Sequence, residues 1–134
     1  MKTIKTLLLV ALLAMLTNAC STEEATPERT KLLTQNTWTF SSTEGFDEIS
    51  KAIIEAFADG SSYKFKTDGT VNVTFFGISY SSDWEFNSDQ TIIILEPGTE
   101  DEQKLVIVTL NETTLKVRDE TNGPTTGSMI YTSN

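Results

Sequence analysis

A chain of 134 residues, 38% hydrophobic and 22% charged, has room for one ordinary domain and a single core. Its net charge of −9 repels phosphate backbones and argues against nucleic acid as a partner. There is no histidine and Cys20 is the only cysteine, so Ser-His-Asp and Cys-His catalysis, the usual zinc ligand sets and an internal disulfide are all removed.

Lys2 and Lys5 precede an apolar block at residues 7–16, and Thr17-Asn18-Ala19-Cys20 follows it. This is the layout of a secretory signal, and the block falls short of the about 20 residues a spanning helix needs. The last four residues resemble the lipobox of bacterial lipoproteins, with Leu16 one place earlier than usual and Thr17 in its position. That resemblance implies removal of residues 1–19 and lipidation of Cys20, hence a membrane partner reached through an N-terminal lipid anchor. Residues 21–29 are polar and acidic and read as a flexible tether. Ser21 followed by Glu23 and Glu24 also resembles the signal that exports some Gram-negative lipoproteins to the cell surface. The expected organisation is a signal peptide over 1–19, a lipidated cysteine and tether over 20–31, and a domain over 32–134. The expected place is the outer membrane, at the cell surface, with its periplasmic face as the alternative.

From Trp38 the pattern changes. Trp38 and Phe40 alternate with Thr37 and Thr39, the period of a half-buried strand. Phe46, Ile49, Ile53, Ile54 and Phe57 then share one side of a helix with Glu48, Lys51 and Glu55 outside; Ser41, Ser42 or Thr43 is the expected cap and Asp59-Gly60 the stop. Tyr63 and Phe65 alternate before Thr67-Asp68-Gly69-Thr70, where Asp-Gly predicts a two-residue hairpin turn. Val71, Val73 and Phe75 follow, Gly77 breaks or kinks the arm, and Tyr80, Ser82, Trp84 and Phe86 resume it. After Asn87-Ser88-Asp89 come an apolar run at 91–95, an acidic loop at 96–102, and strands at 104–110, 114–118 and 128–132. About eight short strands joined by tight turns predict a mainly β domain, an up-and-down antiparallel barrel or a sandwich.

Taken together, the tryptophan near the start, the helix between the first two strands, the aromatic strand before Asp-Gly-Thr, the Trp84-Glu85-Phe86 strand and the late Leu110-Asn111-Glu112-Thr113-Thr114-Leu115-Lys116-Val117 resemble the small lipocalin-like lipoproteins of Gram-negative cell surfaces. The resemblance implies an eight-stranded antiparallel calycin-type barrel with one amphipathic helix between the first two strands. The Gly-x-Trp of lipocalins would fall on Asn36-Thr37-Trp38, and the arginine that covers its indole on Arg118, a structural pair closing one end of the barrel. A ligand cavity would then lie towards the other end. Its inward candidates are Tyr63, Phe65, Val71, Val73, Phe75, Trp84, Phe86, Ile92, Ile94, Leu105, Ile107 and Val117.

Two functions compete. In the first, a lipid-anchored barrel holds a small apolar or amphipathic ligand. In the second, the barrel is filled, and a dimer mate, protein or glycan meets its outer surface; the two-faced apolar strands at 91–95 and 104–110 motivate this reading. An enzyme is not expected, because Asp83 and Glu85 flank Trp84 and fall on the outer face if the indole points in. No cofactor is expected. Glu96, Glu100, Asp101 and Glu102 match no calcium-loop spacing and read as a solvated turn, so no metal is expected either.

Overall fold

The computed structural model describes residues 27–134; the expected signal peptide, Cys20 and most of the tether lie outside the described residues. The elements are α1 (Glu28–Gln35), β1 (Trp38–Glu44), α2 (Glu48–Ala58), β2 (Ser62–Phe65), β3 (Thr70–Phe75), β4 (Ile78–Phe86), β5 (Ile92–Leu95), β6 (Gln103–Leu110), β7 (Thr114–Asp119) and β8 (Ser128–Ser133). Each strand pairs antiparallel with the next, and β8 closes on β1. The result is an eight-stranded up-and-down barrel, and closure removes the free edges that an open sheet would expose.

One end of the barrel is sealed by α1, which the strand and turn signals did not predict. This helix starts at Glu28, inside the stretch expected to be tether, with Lys31 N bonded to Pro27 O at 3.0 Å. It is tied down from several sides. Leu33 is fully buried and its carbonyl accepts the Trp38 indole N–H at 2.9 Å. Lys64 Nζ reaches Thr34 O at 3.1 Å, placing a cation at the helix C-terminus, and Asn36 Nδ2 reaches Glu112 O at 3.1 Å.

At the opposite end sits α2. Its cap is Asp47, whose carboxylate accepts from the N–H groups of Ile49 (3.1 Å) and Ser50 (3.0 Å), rather than Ser41, Ser42 or Thr43. Those three residues belong to β1, which runs on to Glu44. The faces of α2 also depart from the simple amphipathic expectation. Glu55 turns towards the barrel and accepts from Thr43 Oγ1 at 3.1 Å, and Ala58 is buried. Ile49, Ile53 and Phe57 face solvent, Ile49 with 75% of its surface exposed. Phe46 anchors the helix by lying against Gly127, where an added Cβ would collide with the ring.

Between the ends lies a packed interior. Phe65, Val71, Ile93, Leu115 and Val117 have essentially no exposed surface, and Trp84, Leu95 and Leu105 little more. An aromatic chain crosses it: Phe86 to Trp84 (5.2 Å between ring centroids), Trp84 to Phe65 (5.3 Å), Phe65 to Tyr63 (5.7 Å), Tyr63 to Tyr131 (5.3 Å) and Tyr131 to Phe40 (5.8 Å). All but the stacked Tyr63–Phe65 pair are edge-on, the arrangement that the ring quadrupoles favour.

Two turns differ from expectation. Of Asp68 and Gly69 only Gly69 takes a positive φ (86°), in a wider loop closed by Lys66 N to Thr70 O at 2.9 Å. The tight two-residue turn sits instead at Phe76-Gly77, with φ of 50° and 73°, so the expected break at Gly77 is a hairpin tip. Alternation is interrupted by irregularities between Phe40 and Ser42 and between Ile107 and Thr109. The second re-phases β6, so that Leu105, Ile107 and Leu110 all pack on the core while Val108 is exposed.

Candidate functional site

Nine of the twelve cavity candidates do belong to the core or pack against it: Tyr63, Phe65, Val71, Val73, Trp84, Phe86, Leu105, Ile107 and Val117. Most of them fill space instead of lining it. Ile92 and Ile94 are corrected: Trp84 pairs with Leu95 and Phe86 with Ile93, so Ile93 and Leu95 point inward and Ile92 and Ile94 outward. An unbroken β-branched run carries no period by which to choose its face. Phe75 is 41% exposed and stands at the rim.

The expected Trp38–Arg118 pair does not form. Leu115 and Val117 are buried, so Arg118, one residue on, projects from the outer face, where its Nε lies 3.3 Å from Glu120. Trp38 pairs with Ser133 near the Thr114 end of β7, and Arg118 stands about 13 Å further along that strand. Closure comes from α1 instead.

Open hollows of about 340 and 440 Å³ lie on the outer surface, one beside Ser81 and Asp101 and one beside Thr37 and Ser81, while the space that reaches the inward side chains lies under α2, at the end opposite Trp38. A pocket of about 330 Å³ is lined by Ala58 and Ser61 from the α2–β2 corner, Tyr63, Val73 and Phe75, with Tyr80, Gln103, Asp119, Met129 and Tyr131. A narrow niche beneath it adds Ser82 and Glu96. Strand geometry opens this end. β1 pairs with β2 only through Trp38 and Thr39, and β4 pairs with β5 only from Trp84 onward, so the upper halves of two seams are unzipped.

Following each inward row outward explains the chemistry of the mouth. Leu115 and Val117 lead to Asp119, Leu105 leads back to Gln103, and Trp84 leads back to Ser82 and Tyr80. The rows turn from aliphatic to polar as they approach solvent. Tyr63 and Tyr131 form the floor. Burial raises the pKa of the Tyr63 phenol, and raises that of Tyr131 well above its ordinary value, with the negative charge of Asp119 acting in the same direction on both. Both phenols therefore stay neutral, and the Tyr131 hydroxyl donates to Met129 Sδ at 3.9 Å. Asp119 Oδ1 accepts from Thr121 N (3.0 Å) and Thr121 Oγ1 (2.5 Å). Gln103, Asp119, Met129 and Tyr131 were missed in the sequence, although continuing the inward register of Leu105 and Val117 by two residues would have found Gln103 and Asp119.

Beside the mouth lies an apolar rim. Phe57 meets Phe76 edge-on at 5.8 Å and Phe76 meets Phe75 at 4.4 Å, so the outer face of α2 and the β3–β4 tip are continuous. Elsewhere, Asp83 and Glu85 are exposed on either side of buried Trp84. In the acidic loop Glu102 accepts from Gly98 N at 2.8 Å, and among the described residues no three His, Cys, Asp or Glu side chains converge as a metal site.

The chain matches no protein-family model and no curated protein. Its fold is similar to the crystal structure of a DUF4847 family protein from Bacteroides vulgatus ATCC 8482. The two superpose with a TM-score of 0.55 at 11% identity, over 78% of this chain and 96% of that one. At that identity the likeness is one of fold alone.

Proposed function

We propose that the chain is a lipid-anchored, lipocalin-like binding protein of the cell envelope that holds a small amphipathic molecule in the mouth of its barrel. The observation that carries this reading is the pocket of about 330 Å³ over a packed aromatic floor, a size at the small end of ligand sites. Its lining mixes apolar walls with a few polar groups, Tyr63, Tyr131, Gln103 and Asp119, the composition that fixes a ligand's orientation. The anchor rests on the sequence around Cys20. Leaving from the α1 end, the tether would turn the mouth away from the membrane that holds it.

Native mass spectrometry of the protein purified from its own host tests this. Wild type is expected to carry a small molecule that is released on denaturation. Gln103→Trp, at an exposed rim position, is expected to lose that molecule while melting like wild type. Wild type without a bound molecule, or a variant that retains it equally, overturns the reading. A mass increment on Cys20 in the same spectra reports the anchor.

A second reading has an observation of its own. Ile49, Ile53, Phe57, Phe76 and Ile78 are each more than half exposed, an apolar surface fit for a protein partner or a dimer mate. Sedimentation of the mature chain, with Cys20→Ser to remove the lipid, separates the two: a stable dimer dispersed by Phe57→Ser favours this surface over the pocket.

A further inference from the structure

The mouth contains acid and no base. Asp119 and Glu96 line the pocket and its niche, and no lysine or arginine lines either. The cations recorded in ion pairs or reaching a carbonyl do so elsewhere: Lys116 with Glu44, Arg118 with Glu120, Lys104 with Glu102, and Lys64 on the Thr34 carbonyl. Asp119 follows Val117 on the inward side of β7, opposite Leu105 of β6. Its two bonds from Thr121 fall on one carboxylate oxygen, Oδ1. Asp119 is itself exposed, and its other oxygen, Oδ2, accepts no hydrogen bond from the described residues. Tyr63, Tyr80, Tyr131 and Phe75 line the same pocket, and aromatic rings attract cations through their quadrupoles.

An anionic head, such as a fatty carboxylate, would be brought beside two carboxylates with no cationic counter-charge in the lining. A cation meets the reverse. The net charge of −9 also raises its local concentration. Resting on the reading of the mouth as the binding site, we infer that the ligand is a cationic amphiphile: an apolar body against Val73, Phe75, Met129 and Ala58, and an ammonium head on Asp119 at the exposed rim. The exposed rings of Phe76 and Phe57 give a longer body somewhere to continue.

The test compares dodecylammonium, dodecanol and dodecanoate by titration calorimetry below their aggregation concentrations. It uses the mature chain with Cys20→Ser, so that no detergent is present. The ammonium is expected to bind about threefold tighter than the alcohol, the scale of one exposed ion pair, and the carboxylate more weakly than both. Asp119→Asn keeps an acceptor for Thr121 and is expected to reduce the ammonium to the level of the alcohol. If the alcohol binds as well as the ammonium, or Asp119→Asn leaves the preference intact, the charge class is wrong while the mouth remains a site. If none of the three binds wild type, or Gln103→Trp binds them all unchanged, the mouth reading falls and takes this inference with it.

Discussion

The indole N–H of Trp38 donates to the carbonyl of Leu33 at 2.9 Å, and both side chains are without exposed surface. This bond joins the last turn of α1 to the first residue of the barrel and satisfies one of the four carbonyls that a helix end leaves open. Trp38→Phe removes the donor and strands that carbonyl, which should cost about 1–3 kcal/mol in urea denaturation. Trp38→Ala should cost about 3–5 kcal/mol. Arg118→Ala should stay within about 0.5 kcal/mol, as an outer-face change does. A loss at Arg118 matching that at Trp38 would revive the pair that the geometry rejects.

The register of β5 makes neighbouring isoleucines unequal. Ile93→Ala is expected to cost about 2–5 kcal/mol, because a fully buried side chain leaves a cavity. Ile94→Ala, on the half-buried outer face, is expected to cost about 1 kcal/mol. Equal losses measured by denaturation would mean that the strand faces the other way.

Phe76 holds a left-handed backbone (φ 50°) at an exposed tip, a conformation that costs an ordinary L-residue about 1–2 kcal/mol. Asparagine before glycine suits this turn, so Phe76→Asn is expected to raise stability by about 1 kcal/mol. Its dye binding, a measure of exposed apolar surface, should fall. A destabilised variant would show instead that the contact with Phe57 secures α2 to the rim.

Gly127 leaves room for the Phe46 ring, and Gly127→Ala forces one of them to move. Overpacking of this kind costs about 1–3 kcal/mol. Hydrogen exchange should show α2 loosened while β5 and β6 keep their protection. Loss of protection in β5 and β6 together with α2 would mean that the helix is part of the barrel's cooperative unit.

Three turn and cap carboxylates contribute to acid sensitivity. Asp47, Asp68 and Asp89 all titrate below the ordinary 3.8, held down chiefly by the Ser50 backbone N–H, the Thr70 hydroxyl and the Thr91 hydroxyl respectively. A depressed folded pKa gives stability that is fully present above the unfolded value. It is lost as pH falls below 3.8 through the folded value. Melting temperature should therefore decline on the acid side of that point. The triple variant Asp47→Asn, Asp68→Asn, Asp89→Asn should decline less steeply, and an unchanged slope would assign acid sensitivity elsewhere.

The strands were legible because β3, β4 and β7 carry two-residue alternation with an aromatic or branched side chain on the inner beat. Trp84 and Phe86, or Leu115 and Val117, name their own face. β5 does not, since Ile92, Ile93 and Ile94 are chemically identical and only pairing with Trp84 and Phe86 selects Ile93. The first helix was hidden for another reason. Its sequence, Glu28-Arg29-Thr30-Lys31-Leu32-Leu33-Thr34-Gln35, has little apolar surface, and Leu33 becomes decisive only where the open barrel end receives it.

By itself the sequence determined a mainly β domain of about eight antiparallel strands with a helix after the first, since alternation, caps and turn residues act over a few neighbouring positions. Only the tertiary structure decided what seals and what opens. Whether Trp38 meets Arg118 or Leu33, which side of α2 is wet, and where the inward rows turn from Val117 to Asp119 depend on residues far apart in the chain, and barrel closure alone brings them within contact distance.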